Sequence, residues 1–212
     1  RIQWHTLSVP RGGEYKLVLA DGTRVWLNAA SELMYPDHFS ADQRKVVLKG
    51  EAYFEVTKDV KRPFSVVLGD MEVKVLGTSF NVSAYPGVKR QTTLIEGQVA
   101  VNWHRQQVVI RPGQQAAETD EGLRVASVNV MNYVGWKEHR FVYENKLLEE
   151  VLEDLERWYD VEVFVMHDEI RNLHLTANLP RYENMDKVLE IIEYAACVKF
   201  EVKGRTVVVR RD

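Results

Sequence analysis

The sequence predicts a chain of two domains. Residues 1–135 read as a β-rich domain of stacked antiparallel sheets, sandwich or solenoid-like, and residues 136–212 as a small α+β domain of duplicated β-α-β units. Three observations carry this expectation. Between residues 14 and 130, short β-branched and aromatic runs alternate with turn residues, and no helical stripe of ten residues competes. After Trp136 two stripes appear in which apolar residues fall three and four apart. Those two stripes repeat each other at a constant offset of 37 residues.

In the first half, "EYKLVLADGTRVWLN" sets two strand-like runs about Asp21-Gly22, a pair suited to the positive φ of a tight hairpin. Further turns are expected at Gly50, Gly69-Asp70, Pro86-Gly87, Gly97, Pro112-Gly113 and Glu121-Gly122. Between them lie strand candidates such as "KVVLKGEAYFEV", "PFSVVL", "TTLIEGQVAV" and "QVVIRPG". The segment "VVLKGEAYFEV" is similar to "TTLIEGQVAV", a hint of repeated hairpins. The stretch "VKVLGTSFNVSAY" (73–85) reads as one strand flawed in its middle, because Gly77-Thr78 interrupts it. A β-bulge or a close backbone approach at Gly77 is the structural reading of that flaw.

In the second half, Asn145 is expected to cap a helix whose inner face carries Leu148, Val151, Leu152, Leu155 and Trp158 or Tyr159. Asn184 is expected to cap another, with Met185, Val188, Leu189, Ile192 and Ala195 or Ala196 inward. "FVY" and "LHLTA" precede these helices, "VEVFV" and "VKFEV" follow them, and "TVVVR" completes the chain. The stretches "VLEDLERWYDVEVFV" and "VLEIIEYAACVKFEV" superpose, which predicts helices laid on one face of a small sheet.

Composition narrows the function. Residues 1–135 carry 16 Lys/Arg and 14 Asp/Glu, and the remainder 12 and 17, giving +2 and −5 of the total −3. With no basic stripe, nucleic acid is not the expected ligand. No run of about 18 apolar residues is present to span a membrane as a helix. The chain starts at Arg1, so a piece of a longer protein is expected. The lone Cys197, in "YAACVKF", is expected to be a buried structural thiol.

No catalytic motif stands out, and neither a cofactor nor a metal is expected. His167, Asp168 and Glu169 read as a solvated turn rather than metal ligands. Glu51 and Glu55 share a strand face; as paired carboxylates they would suit a hydrolase, but the expectation is that both face solvent. Trp26 and Trp103 sit in strands, either as packed residues or as exposed platforms for a sugar, so a carbohydrate-binding β-sandwich with an accessory α+β domain stays open as the alternative.

The order of motifs says more. "LADGTRVWLNAASELMYP", "RKVVLKGEAYFEVTKDVKRPFSV", "VKVLGTSFNVSAY", "TLIEGQVAV" and "IRPGQQA", followed by "FVYENKLLEEVLEDLERWYDVEVFV", closely resemble the FecR-like anti-sigma factors of the Bacteroidetes type over about residues 15–211. The resemblance implies a periplasmic sensor region on the inner membrane, engaged in cell-surface signalling and transcription regulation. It implies a preceding membrane helix and a cytoplasmic segment that holds an extracytoplasmic-function sigma factor. The implied signal is contact with the signalling domain of an outer-membrane TonB-dependent transporter, a module similar to the duplicated tail. Such proteins are not classical enzymes, yet several cut themselves at a Gly-Thr bond, which here corresponds to Gly77-Thr78. For the partner, the expected contact strands are "LHLTA", with Leu173 and Leu175, and "TVVVRR", with Val207 and Val209. Ile191, off the inward stripe of its helix, is a further anchor candidate.

Overall fold

The computed structural model describes residues 1–212, which divide into two compact units, Arg1–Val134 and Gly135–Asp212. The first contains β1 (Trp4–Val9), β2 (Tyr15–Val18), β3 (Arg24–Leu27), β4 (Ser31–Pro36), β5 (Arg44–Glu55), β6 (Phe64–Leu68) and β7 (Met71–Val75). It continues with β8 (Ser79–Ala84), β9 (Gln91–Glu96), β10 (Val99–Trp103), β11 (Gln106–Ile110), β12 (Gln114–Thr119), β13 (Gly122–Ser127) and one helical turn, α1 (Met131–Val134).

The 13 strands form two layers that share β5. One layer runs β1-β4-β5-β6-β7-β10-β11 and the other β2-β3-β5-β8-β9-β12-β13. All these pairs are antiparallel except β5 with β6. The handover occurs at Gly50, where φ is +95° and a Cβ would lie 2.7 Å from the Cα of Ser31. A side chain there would meet both a strained backbone and a filled space, so glycine is required. Residues 44–49 of β5 thus serve one sheet and 50–55 the other. Val46, Leu48, Phe54, Phe64, Phe80, Val82, Leu94 and Ile110 are buried in the core. Phe54 stacks on Phe80 at 5.1 Å and meets Phe64 edge-on at 6.1 Å, tying the layers together.

Residues 73–85 are not one strand. β7 belongs to the first layer and β8 to the second, so Leu76–Thr78 is the crossover between them. Gly77 is present because the chain passes close by: a Cβ on it would lie 2.7 Å from the Cα of Lys58.

The second unit contains β14 (Arg140–Leu147), α2 (Leu148–Tyr159), β15 (Glu162–Val165), β16 (His174–Pro180), α3 (Met185–Ala196), β17 (Val198–Lys203) and β18 (Thr206–Arg211). It has two small sheets instead of the single one expected. β14 pairs antiparallel with β16, while β18 inserts between β15, its parallel neighbour, and β17, its antiparallel one. The helices bury Val151, Leu152, Leu155, Val188, Leu189 and Ile192 with Leu175, Leu179, Val207 and Val209 of the strands.

The 37-residue repeat extends to individual bonds. α2 ends at Asp160 and α3 at Cys197, both left-handed, with N–H groups donating to Glu156 O and Glu193 O. One turn earlier in each helix, Glu156 Oε1 accepts from Val163 N at 2.7 Å, and Glu193 Oε1 from Phe200 N at 2.8 Å. Cys197 is therefore an exposed cap residue and not a buried thiol: the left-handed backbone turns it off the inner stripe. Asn184 caps α3 as expected, its Oδ1 accepting from Lys187 N at 3.0 Å. Asn145 does not cap α2; it lies in β14 at a register shift with φ +51°, and α2 starts after Leu147 without a side-chain cap.

Candidate functional site

The Gly77–Thr78 bond is held on several sides. Leu76 O accepts from Asp59 N at 2.8 Å, and Thr78 O from Val56 N at 2.9 Å. Thr78 is 5% exposed, and its Oγ1 donates to Gln98 O at 3.1 Å. Opposite lies Gly97, with φ +94°; a Cβ there would come within 3.0 Å of both Gly77 O and Thr78 Oγ1. Glycine at 97 thus leaves the space beside the carbonyl and the hydroxyl open. A hydroxyl next to the carbonyl it would attack is the minimum for an acyl shift. The acceptor of its proton is a backbone carbonyl, which orients the oxygen without acting as a base.

Behind this crossover lies a buried ion pair that sequence reasoning missed. Arg44 is 0% exposed; its Nη1 donates to Asp21 Oδ2 at 2.8 Å and to Thr57 O at 2.7 Å. Its Nε donates to Arg62 O at 2.8 Å and its Nη2 to Leu76 O at 3.4 Å. One guanidinium thereby ties the Asp21 hairpin, the 57–62 loop and the crossover together. The signal available beforehand was a lone Arg opening an otherwise alternating strand, which ordinarily reads as a solvent-facing residue.

The carboxylates do not face solvent as expected. Glu51 accepts from Asn28 Nδ2 at 2.7 Å and Asn81 Nδ2 at 2.9 Å, and Glu55 pairs with Arg24. Neighbours on both sides claim them: Glu55 lies between Arg24 of β3 and Ser79 of β8, and Glu51 between Asn28, just after β3, and Ser83 of β8. The tryptophans are engaged as well. Trp26 lies under Lys16 Nζ at 4.5 Å and edge-on to Tyr53, and Trp103 Nε1 donates to Asp70. Arg90 joins Asp70 and Glu118 beside Trp103, and its bonds hold both carboxyls below the usual carboxylate range. A cleft of about 510 Å³ above Leu48, Leu68 and Tyr85 has Lys49, Lys89 and Arg90 on its walls and no tryptophan. His167, Asp168 and Glu169 do not converge: Asp168 reaches Arg171 and Glu169 reaches Arg211.

In the second unit, the contact candidates separate. β18 has neighbours on both sides, and Val207 and Val209 are 1% and 0% exposed, so they are core residues and unavailable to a partner. Leu175 is equally buried, and Leu173 packs against the same core. β16 itself is an edge strand with one neighbour, β14. Ile191 is exposed, at 44%. Also unforeseen is Arg181, fully buried with its guanidinium 4.0 Å from the Trp158 ring and 5.7 Å from that of Trp136. Nearby, burial and then the Asp154 charge push the Tyr143 phenol well above its ordinary range. Burial alone would raise Asp154 too, but Lys146 and Arg157, at 3.1 and 2.8 Å, outweigh it and hold that carboxyl low.

The class defined by these features is a two-part chain: a double-layered β unit with a tightly held Gly-Thr crossover, and a duplicated α+β module. Residues 5–100 match the model of the FecR protein family and residues 140–209 that of the FecR C-terminal region, together most of the chain. The chain belongs to the FecR family. Two crystal structures of a candidate anti-sigma factor from Parabacteroides distasonis ATCC 8503 are similar to it, each with a TM-score of 0.91 and 26% identity. The matches cover 98% and 99% of this chain and 99% and 100% of theirs. Among curated proteins, none matches.

Proposed function

We propose that this chain is the periplasmic sensor region of a membrane-bound anti-sigma factor. It relays substrate occupancy of an outer-membrane TonB-dependent transporter to an extracytoplasmic-function sigma factor. The observation that carries the reading is the match of both units, in order, to one family, together with a neighbour of the same architecture over nearly its whole length. None of the helices is long and apolar enough to cross a membrane, so in this reading the anchor and the sigma-binding segment lie in sequence other than these 212 residues. The second unit supplies the contact, because an edge strand such as β16 offers unpaired backbone groups to a partner.

The test is a calorimetric titration of the 212-residue chain with the purified signalling domain of the TonB-dependent transporter encoded beside it. Saturable binding is expected. A folded chain that gives no binding heat at any temperature tried refutes the reading. Self-cleavage belongs to the same proposal as a single turnover. Thr78 Oγ1 attacks the Gly77 carbonyl carbon, the Gly77–Thr78 C–N bond breaks, the amine takes up the hydroxyl proton, and water hydrolyses the resulting ester. Denaturing mass spectrometry should then find a fragment beginning at Thr78. An intact mass that persists for days, in the native chain as in Thr78→Ala, refutes it.

A further inference from the structure

Two glycines border the Gly77–Thr78 bond, and their surroundings differ. At Gly77 the place of a side chain is already filled. Val56 N donates to Thr78 O and Asp59 N to Leu76 O, which pins the carbonyls on either side of Gly77. Lys58, between those two donors, puts its Cα, Cβ and Cγ at 2.7, 2.8 and 3.0 Å from where a Gly77 Cβ would stand. Thr57 O accepts from the buried Arg44, which anchors this segment in turn. At Gly97, in the turn between β9 and β10, the corresponding place is open. A Cβ there would lie 3.0 Å from Gly77 O and 3.0 Å from Thr78 Oγ1, closer than ordinary van der Waals contact. The next residue, Gln98, accepts the bond from that same hydroxyl.

The two oxygens beside the Gly97 gap are those that move in an acyl shift. As Thr78 Oγ1 bonds to the Gly77 carbonyl carbon, a small ring closes through the Thr78 nitrogen, Cα and Cβ. The carbon becomes tetrahedral, and Gly77 O leaves the amide plane. The C–N bond then breaks with its electron pair on the nitrogen, which ends with the hydroxyl proton. A methyl already tight against both oxygens opposes that motion. A φ of +94° by itself calls for glycine at 97, as +85° and +77° do at Gly22 and Gly87. Those two have other surroundings: a Cβ on Gly87 would meet nothing within 4 Å, and one on Gly22 would meet Thr57 Oγ1 at 3.4 Å.

We infer that Gly97 is a positioning residue for the cleavage: its missing side chain is the space in which Gly77 O and Thr78 Oγ1 rearrange, and an L side chain there blocks the attack. This rests on the self-cleavage proposed above and adds a residue, 20 positions along the chain from the bond, that the Gly-Thr pair does not reveal.

For the experiment, the full 212-residue chain and its variants are assembled unfolded by chemical ligation, so that each starts intact, then refolded and followed by denaturing mass spectrometry. Gly97→Asn is the first variant, because asparagine is an L residue that accepts positive φ. A glycine needed only for its turn tolerates that change, and a glycine needed for its space does not. Release of the fragment beginning at Thr78 should slow by about tenfold or more in Gly97→Asn and Gly97→Ala, since misplacing reacting atoms by about 1 Å costs up to about 100-fold. D-alanine at 97 suits the positive φ and carries its methyl in place of the other Cα hydrogen, so that chain should cleave about tenfold or more faster than Gly97→Ala. Native-like amide exchange in β8 and β9 certifies each variant as folded. If neither L variant folds, the D-alanine chain decides: cleavage supports the assignment and a persisting intact mass overturns it. A folded Gly97→Asn whose cleavage slows by less than about tenfold, or a D-alanine chain as slow as Gly97→Ala, overturns the role of Gly97 only. A native chain that stays intact for days overturns the self-cleavage and the role of Gly97 with it.

Discussion

Removing the Asp21 carboxylate tests the buried ion pair most directly. In Asp21→Ala, the Arg44 guanidinium loses its only carboxylate partner while remaining fully enclosed. Breaking one side of a buried pair costs about 3–5 kcal/mol, because the remaining charge is left uncompensated. Three carbonyl acceptors survive, those of Thr57, Arg62 and Leu76, which places this case at the lower end. Asp21 also accepts from Thr23 N at 3.0 Å and Thr23 Oγ1 at 2.8 Å, so the hairpin loses its own turn bonds too. A total near 3 kcal/mol corresponds to roughly 100-fold faster exchange of the most protected amides in the first unit. Hydrogen exchange followed by mass spectrometry suits a two-unit chain, in which a single unfolding midpoint is ill-defined. Peptides from β5, β6 and β8 should accelerate together, and those from 140–209 should not. Acceleration below threefold in β5 would refute the claim that this pair holds the crossover.

Four other outcomes are expected. Gly77→Ala places a methyl 2.7 Å from the Lys58 Cα, so the crossover must shift; a loss of about 1–3 kcal/mol should appear as faster exchange at Val56 and Asp59. Of the nine tyrosines, Tyr143 and Tyr159 should ionise late in a spectrophotometric titration, since burial pushes Tyr159 to about 12 and Tyr143 well above its usual value. Their folded-state values are raised, so the stability they contribute is complete below the unfolded value of about 10 and fades as pH rises through the folded ones. Asp154 works in the opposite sense: its folded value is depressed, so its contribution is present above about pH 3.9 and is lost as pH falls through the folded value. Cys197, exposed at the cap of α3, should react one-to-one with a thiol reagent in the absence of denaturant; protection until unfolding would show that the cap is misplaced.

The β half was legible because short-range patterns carried it. Alternation in β5 and glycines at turns such as Gly22 and Gly87 are local signals, and the structure bears them out. The helices were legible for the same reason, from the 3–4 spacing and the Asn184 cap. Cys197 was misjudged because apolar neighbours suggested burial, whereas its left-handed backbone depends on where the helix stops. Arg44 was missed because a charged residue in an alternating strand reads as outward; only the meeting of three distant loops supplies the acceptors that let it be buried.

The contact strands show the same division. β16 and β18 both have the alternation of half-buried strands, and nothing local tells an edge from a centre. Pairing decides it: β18 lies between two strands and β16 beside one. By itself the sequence determined the class of each half, the duplicated unit and the Gly-Thr pair, since these are written in spacing and residue type. Only the tertiary structure decided that Gly77 lies on a crossover between sheets, that Glu156 and Glu193 each accept a backbone N–H from the strand that follows, and that β18 is central while β16 has a single neighbour. Those features arise where segments far apart in the chain meet, and a strand's own residues do not encode which neighbours it will have.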